Sequence, residues 1–220
     1  TEPPIEITKA LTFKVKKRGM ANVVNIFPTL GGNYPGLFKI AVDNKDKWVQ
    51  FLGDSETSFS INGGSDAKTA VFYIQSNARF DRVVVSGRHE TEAVIYTQLW
   101  EGMSVEFVNG EIGGGKSWGL VNMSHPKSDV TVTNTLINVN KGGAGNFLGN
   151  FFLAKNHFIS NGTGVYVYKE GWWTWINNNT FEKNGTGIYA DSSNPIRECK
   201  GNVFINNGTN MNSAAAEVCR

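Results

Sequence analysis

The sequence predicts an all-β protein folded as a parallel β-helix, a solenoid in which short strands wind into stacked coils. One motif occurs three times, in residues 156–166, 179–189 and 202–210, and its copies are 23 residues apart. A unit of this length is too short to form a domain, so it must bury its apolar face against its own copies. The repeated residues are mainly Asn, Gly, Thr, Phe, Val, Ile and Tyr, which favour strands and turns over helices.

Three columns of identical residues follow from this period. They are Asn156, Asn179 and Asn202; Asn161, Asn184 and Asn207; and Phe158, Phe181 and Phe204. In stacked coils each residue lies about 4.8 Å from its equivalent, so like side chains form ladders. We expect the phenylalanines inside and the asparagines at the corners, because Asn tolerates left-handed torsions and its amide can bond to the next amide. Asn184 is therefore expected in a left-handed or bridging conformation.

The motif Asn-x-Phe-x-x-Asn-Gly-x-Gly-Val/Ile resembles the repeat of the pectate-lyase-like superfamily. The likeness covers roughly the last third of the chain, and the earlier coils depend on the residue pattern alone. It implies a single-stranded, right-handed parallel β-helix. It also implies a link to polysaccharides, which members of that superfamily mostly bind, cleave or epimerise.

Length and composition indicate one domain over residues 1–220, with 213–220 as a C-terminal cap or tail. The chain has 220 residues, 40% of them hydrophobic, which is enough for a sizeable core. Its 25 glycines and 12% aromatic residues fit short strands with many turns. No apolar run is long enough for a membrane span, and a net charge of +2 without a dense basic patch argues against a nucleic-acid partner.

The two cysteines, Cys199 and Cys219, are separated by close to one coil. A disulfide is geometrically plausible and would imply an oxidising compartment. Two buried free thiols are the alternative. A metal site needs more ligands than this pair provides.

The N-terminal half continues the strand pattern with weaker repeats. Leu11, Phe13 and Val15 alternate with polar residues, which predicts a half-buried strand. Residues 28–35 form the longest irregular insertion. Polar corners recur every 22 to 25 residues at Asn62, Ser86, Asn109, Asn134, Asn156, Asn179 and Asn202. With the N-terminal turns they predict eight or nine coils of about 23 residues, about 40 Å of rod at the strand spacing.

The alternation before each corner predicts which side chains face inward. Val84, Phe107 and Val132 are expected inside, and Val85, Val108, Thr133 and Lys155 outside. Tyr73 and Tyr96, like Tyr166 and Tyr189, are one period apart on a second strand. Residues 213–218 depart from the period, which predicts a short helical turn or irregular cap.

A turn rich in tryptophan, residues 171–176, is the strongest candidate for a binding site. Indole faces stack on sugar rings, and Trp172 and Trp173 lie in the turn itself, whereas Trp175 is expected to point inward. Packing is the alternative for all three. The other expected carbohydrate-binding residues are Tyr166, Tyr189, Lys155 and Asn178; the tyrosines could instead form a structural ladder.

A second cluster supplies the catalytic candidates Arg88, His89 and Glu111. The resemblance implies that a lyase of this fold would use a cation to neutralise a uronate carboxylate and a basic side chain to remove the neighbouring proton. A surface Arg–Glu pair is the alternative. Lower-ranked candidates are His125, Lys127, Lys155 and His157. No metal-ligand spacing or aspartate-rich calcium motif occurs, so we expect no metal site and no cofactor, with calcium left open.

The sequence therefore predicts a secreted, cell-surface or particle-surface β-helix that binds a polysaccharide or oligosaccharide. Cleavage by a lyase or glycosidase mechanism is left open. The alternatives are a non-catalytic carbohydrate-binding module and a structural rod of the adhesin or tail-fibre type.

Overall fold

The protein is an all-β parallel β-solenoid with three parallel sheets. The computed structural model describes residues 5–14, 36–53, 59–63, 70–87 and 93–219. The strands of the first half are β1 Ile5–Ile7, β2 Thr12–Lys14, β3 Gly36–Ile40, β4 Val49–Leu52, β5 Phe59–Asn62, β6 Ala70–Ile74, β7 Ala78–Asp81, β8 Val83–Ser86, β9 Ala93–Thr97, β10 Ser104–Val108, β11 Glu111–Gly113 and β12 Trp118–Met123. Those of the second half are β13 Asp129–Thr133, β14 Leu136–Asn138, β15 Gly142–Leu148, β16 Asn150–Ala154, β17 His157–Ile159, β18 Thr163–Val167, β19 Thr174–Asn177, β20 Thr180–Glu182, β21 Thr186–Ala190, β22 Ile196–Lys200, β23 Val203–Ile205 and β24 Thr209–Met211, followed by helix α1 Ser213–Ala216.

Consecutive strands take turns among three sheets, which we name A, B and C. Within the described residues sheet A has nine strands, from β1 to β24; sheet B has eight, from β2 to β22; and sheet C has seven, from β5 to β23. Every pairing between neighbouring coils is parallel, as in β15 with β18 and β18 with β21. The number of coils and the right-handed sense stay predictions. Each coil thus has three corners, A/B, B/C and C/A.

Phenylalanine stacks fill the interior of the solenoid. The Phe158 ring lies 4.9 Å from that of Phe181, which lies 5.2 Å from that of Phe204, and all three are nearly parallel. This confirms the predicted ladder, although Phe204 is only half-buried. A second stack continues through the earlier coils from Phe13 to Phe107 by way of Phe51 and Phe80.

Asparagine ladders hold the B/C and C/A corners. At the C/A corner the buried Asn184 accepts bonds from the backbone N–H and the amide of Asn161, at 2.9 and 3.1 Å. Its own amide donates to the Phe158 carbonyl at 2.9 Å and to Asn207 Oδ1 at 3.0 Å. The expected left-handed torsion at Asn184 is wrong: the positive φ, 53°, belongs to Lys183. Lys183 therefore makes the bend, and the Asn184 side chain points into the coil, where it bonds to its neighbours in the ladder.

The predicted series of polar corners combines different registers. Ser86 aligns with Asn62 and Gly113, and each of these is the last residue of its strand in sheet C. Asn156 aligns with Thr135, and each of these comes just before its strand in sheet C. The assignment of Val84 as inward and Val85 as outward is consequently wrong, since Val85 is buried and Val84 half-buried. The remaining assignments are confirmed: Phe107 and Val132 are buried, Val108 and Thr133 are half-buried, and Lys155 is exposed.

The two ends of the chain match their predictions in part. Thr12–Lys14 is a strand with Phe13 half-buried, but Leu11 is exposed; Val15 and the insertion at 28–35 lie outside the described residues. At the other end α1 has Asn212 as its N-cap, and Ala215 is buried. Cys199 and Cys219 form a disulfide with their Cα atoms 4.5 Å apart, so the first of the two alternatives for this pair holds.

Candidate carbohydrate-binding face

A buried amide fixes the turn that carries Trp172 and Trp173, at the A/B corner between β18 and β19. Asn146, fully buried in the coil before, donates to the Trp172 carbonyl at 3.4 Å and to the Thr174 hydroxyl at 2.7 Å. The Trp173 carbonyl accepts from the Phe151 N–H at 2.9 Å. The backbone on both sides of the turn is therefore held by the neighbouring coil, and the two indoles project from a rigid base.

The two indole rings form an exposed aromatic surface, which we call the tryptophan corner. Trp172 and Trp173 are 42% and 40% exposed, and their ring centroids lie 5.9 Å apart at an interplanar angle of 21°. The Arg197 guanidinium lies 4.4 Å from the Trp173 centroid, in cation–π contact. No carboxylate among the described residues pairs with this guanidinium, so its N–H groups can serve a ligand.

Trp175 extends the aromatic surface onto the outer face of sheet B. Its ring stacks on Phe152 at 4.3 Å and 11°, and it meets Trp173 edge-on at 6.2 Å. The expectation that Trp175 points inward is wrong: it is half-buried, while Thr174 and Ile176 on either side are buried. The Thr174 hydroxyl is bonded to the buried Asn146 amide, so Thr174 faces inward and Trp175, the next residue, faces outward.

An unpaired acceptor lies in the coil before the tryptophans. Asn150 immediately precedes Phe151, which aligns with Thr174, so Asn150 is in register with Trp173. Its Nδ2 donates to Asp129 at 2.9 Å, but its buried Oδ1 has no hydrogen-bond partner within the described part of the chain. A buried acceptor without a donor costs about 1–3 kcal/mol. Because this oxygen is buried from solvent, a ligand at the surface does not reach it in this conformation.

Lys155 and Asn178 lie at the other ends of the sheet B strands, at the B/C corner. Each follows the last residue of its strand, is exposed, and has a positive φ, 57° and 56°. Five residues of extended chain separate Asn178 from Trp173, about 16 Å at the rise of a strand. A binding surface that included both Trp173 and Asn178 would extend along the full length of the sheet B strands.

Tyr166 and Tyr189 stack on the outer face of sheet A, with centroids 5.6 Å apart. The Tyr166 hydroxyl donates to Asp191 at 2.8 Å, and burial, then this bond, raises the pKa of Tyr166 to about 12. Trp118 lies against the same face, at 5.7 Å from Tyr166 and 6.0 Å from Phe147. The structure thus confirms the tyrosine period and adds two aromatic rings beside it.

The structure does not test the catalytic candidates as a group. Arg88 and His89 lie outside the described residues. Glu111 is half-buried on β11 and accepts a bond of 2.8 Å from the Asn138 amide.

The lower-ranked candidates are dispersed. Lys127 pairs with Glu101 at 2.7 Å, and His157 with Glu182 at 3.1 Å on the outer face of sheet C. The His125 Nδ1 accepts from the Lys127 N–H at 3.2 Å.

The sequence contains a signal for Phe152 that the prediction did not use, because Phe152 precedes Trp175 by one period of 23 residues. Arg197 had no such signal, since the register shifts by one residue between β19 and β22. Asn150 is recognisable only by the hydrogen bond that its oxygen lacks.

Comparison with known proteins identifies a family. Residues 40–218 match the family model described as "NosD: Periplasmic copper-binding protein (NosD)". No curated protein and no solved structure matches the chain. No helix among the described residues has the length and hydropathy needed to cross a membrane.

Within the described residues no group of three His, Cys, Asp or Glu side chains could hold copper. Copper in proteins is held by thiolate, thioether and imidazole groups. Both cysteines are in the disulfide, and nowhere in the described ranges do three His, Cys, Asp or Glu side chains cluster. His157 and His125 already contact Glu182 and the Lys127 backbone.

Proposed function

The chain belongs to the NosD family, and from that premise we propose that it is an extracytoplasmic β-helix that binds a polysaccharide at the tryptophan corner. The family description and the Cys199–Cys219 disulfide support an oxidising compartment such as the periplasm. The exposed, rigidly held pair of tryptophans carries the proposal for the ligand. Binding without cleavage is the activity that these residues support best.

The aromatic rings supply affinity. Two large indoles at about 40% exposure leave apolar surface in water, although the buried Asn146 amide holds the backbone that presents them. The C–H face of a sugar ring matches this surface in chemistry and shape. Phe152 and Trp175 continue it along sheet B.

Polar groups around the rings supply orientation. The Arg197 guanidinium, which lies over the Trp173 ring, offers donors to hydroxyl or carboxylate oxygens. Convergent polar groups beside an apolar surface are the usual composition of a ligand site. Lys155 and Asn178 would contact a chain that crosses sheet B, and Tyr166 and Tyr189 one that also reaches sheet A.

Binding at this corner requires no resident metal in our proposal, because its contacts are stacking and hydrogen bonds. Copper, the ligand in the family description, has no group of three His, Cys, Asp or Glu side chains to bind within the described residues. Retention on a polysaccharide that survives treatment with EDTA supports this point. Loss of retention that copper salts restore would contradict it.

We extend the proposal to the finer features of the fold: a right-handed solenoid of eight or nine coils, related to the pectate-lyase-like superfamily. Strand–crossover–strand units with parallel strands are right-handed in nearly all proteins. Nine, eight and seven strands in the three sheets support the number of coils.

Affinity electrophoresis tests the binding site. The parent protein is run through gels containing polygalacturonate, alginate, xylan or glycol chitin, with unsaturated products and reducing ends assayed in parallel. We expect at least one polymer to retard the parent and Trp173→Ala to migrate as in a gel without polymer. Val203→Ala, which removes an exposed side chain from the outer face of sheet C, is the control and should be retarded like the parent.

The alternatives predict different results. Retardation of Trp173→Ala equal to that of the parent would remove the tryptophan corner from the account. No retardation of the parent by any polymer would favour a structural rod. Product formation would add a lyase or glycosidase activity, for which Glu111, Arg88 and His89 are the candidates.

A further inference from the structure

A second exposed tryptophan occupies the A/B corner in an earlier coil. Trp100 is 39% exposed, and it lies in the connection between β9 and β10, which links sheet A to sheet B as the Trp172–Trp173 turn does. The sequence period does not align it with Trp172, because the connections at this corner differ in length.

The backbone of Trp100 is held in the same manner as that of Trp172. Its N–H donates to the Gln75 carbonyl at 3.0 Å, and its carbonyl accepts from the Met103 N–H at 3.1 Å. The buried Ser128 hydroxyl donates to the same carbonyl at 2.6 Å. In both places a buried polar side chain of an adjacent coil anchors the carbonyl of an exposed tryptophan.

The two tryptophan positions are separated along the rod by a defined number of coils. Strand β10, which follows Trp100, pairs with β13, β13 with β16, and β16 with β19, which follows Trp173. Three steps at the strand spacing are about 14 Å, too far for one sugar ring but within reach of an oligosaccharide.

The surface between the two positions carries polar groups and one exposed apolar side chain, Leu148. The exposed Glu101 and Lys127 pair with each other at 2.7 Å, and Asp129 accepts from the Asn150 amide at 2.9 Å. The charges of Glu101 and Lys127 are thus partly compensated. Hydroxyl-rich chains can add hydrogen bonds to such groups along their length, whereas an apolar partner cannot.

We propose that the A/B corner is one continuous track for an extended polysaccharide, parallel to the rod axis, with Trp100 as its second stacking subsite. This inference rests on the proposed function of the tryptophan corner and specifies its ligand as a polymer that spans at least four coils. Stacking at Trp100 adds affinity only for chains long enough to reach it from Trp172 and Trp173.

Chain length tests the track directly. Affinities of the parent, Trp100→Ala and Trp100→Tyr are measured by titration calorimetry with polygalacturonate, alginate, xylan and glycol chitin, each as polymer and as size-fractionated oligosaccharides from the disaccharide upward. For the carbohydrate that binds the parent, Trp100→Ala should weaken polymer binding about tenfold, a typical effect of one aromatic contact. Binding of the shortest bound oligosaccharide should not change. Trp100→Tyr, which retains a ring, should restore most of the polymer affinity.

Three outcomes overturn the inference. Equal polymer affinity of Trp100→Ala and the parent, with Trp173→Ala still defective, removes the second subsite and leaves the proposed function intact. An equal loss for short and long chains means that Trp100 does not form a separate subsite. No binding of the parent to any of these carbohydrates overturns the proposed function and the track together. The thermal unfolding midpoint of each variant identifies losses that come from unfolding.

Discussion

The B/C and C/A corners of the coil differ from the A/B corner in the neighbours that their polar groups contact. At the first two, an asparagine amide bonds to the same residue type in the next coil through the last coils, as Asn179 does to Asn202 and Asn184 to Asn207. At the A/B corner, Asn122 bonds to Asn146 in the same way, but the amide of Asn146 anchors a turn of different sequence and length, which presents exposed indoles to solvent. Repeated corners therefore stabilise the rod, and the irregular corner is available for binding.

This difference predicts that stability and binding are separable. Substitutions at the interior or at the asparagine ladders should lower the free energy of unfolding with little effect on ligand affinity. Substitutions of the exposed tryptophans should do the reverse. The following predictions test this separation in order of expected effect.

Phe181→Ala should have the largest effect, a loss of about 3–5 kcal/mol in the free energy of unfolding, because it opens a cavity in a fully buried stack. Urea denaturation followed by circular dichroism measures this loss. Phe204→Ala, in the half-buried last ring of the stack, is the matched control and should lose less. A loss below about 1 kcal/mol at Phe181 would mean that the phenylalanine stack does not carry the core.

Asn184→Ala should come next, with a loss of about 2–3 kcal/mol, because it leaves the Asn161 N–H and the Phe158 carbonyl buried without partners. Asn194→Ala is the control, since Asn194 is exposed in the connection between β21 and β22 and has no positive φ. The same denaturation experiment compares them. Equal losses for the two variants would contradict the role given to the ladder.

Lys183→Val should have the smallest effect on stability, a loss of roughly 1–2 kcal/mol, because a β-branched residue is strained at a φ of 53°. Lys183→Gly is the control and should be tolerated, since glycine adopts positive φ without strain. Thermal unfolding distinguishes them. A valine variant as stable as the glycine variant would place the bend at another residue.

The regular part of the molecule was predictable because its period is strict. Phe158, Phe181 and Phe204 recur at 23 residues with nothing inserted between them, so like residues had to stack. The backbone torsions were not predictable at the same level. The bend at Lys183 rather than Asn184 depends on the direction that the asparagine amide must take to reach the next coil.

The candidate site was predictable only in part. The composition of residues 171–176 identified Trp172 and Trp173, which are exposed. The inward placement of Trp175 failed because Thr174 and Ile176, on either side of it, are both buried, and alternation along the strand then places Trp175 outside. Trp100 lies in a connection of different length, so a search by period cannot find it.

The retention of Trp173→Ala and Asn184→Ala in one affinity gel, with the unfolding midpoints of both variants, tests the central claim most directly. We expect Trp173→Ala to unfold at nearly the temperature of the parent and to lose retention on the polymer that retards the parent. Asn184→Ala should unfold at a lower temperature and, below that temperature, keep the retention of the parent. Normal retention of Trp173→Ala, or loss of retention by folded Asn184→Ala, would contradict the division of the rod into structural corners and a binding corner.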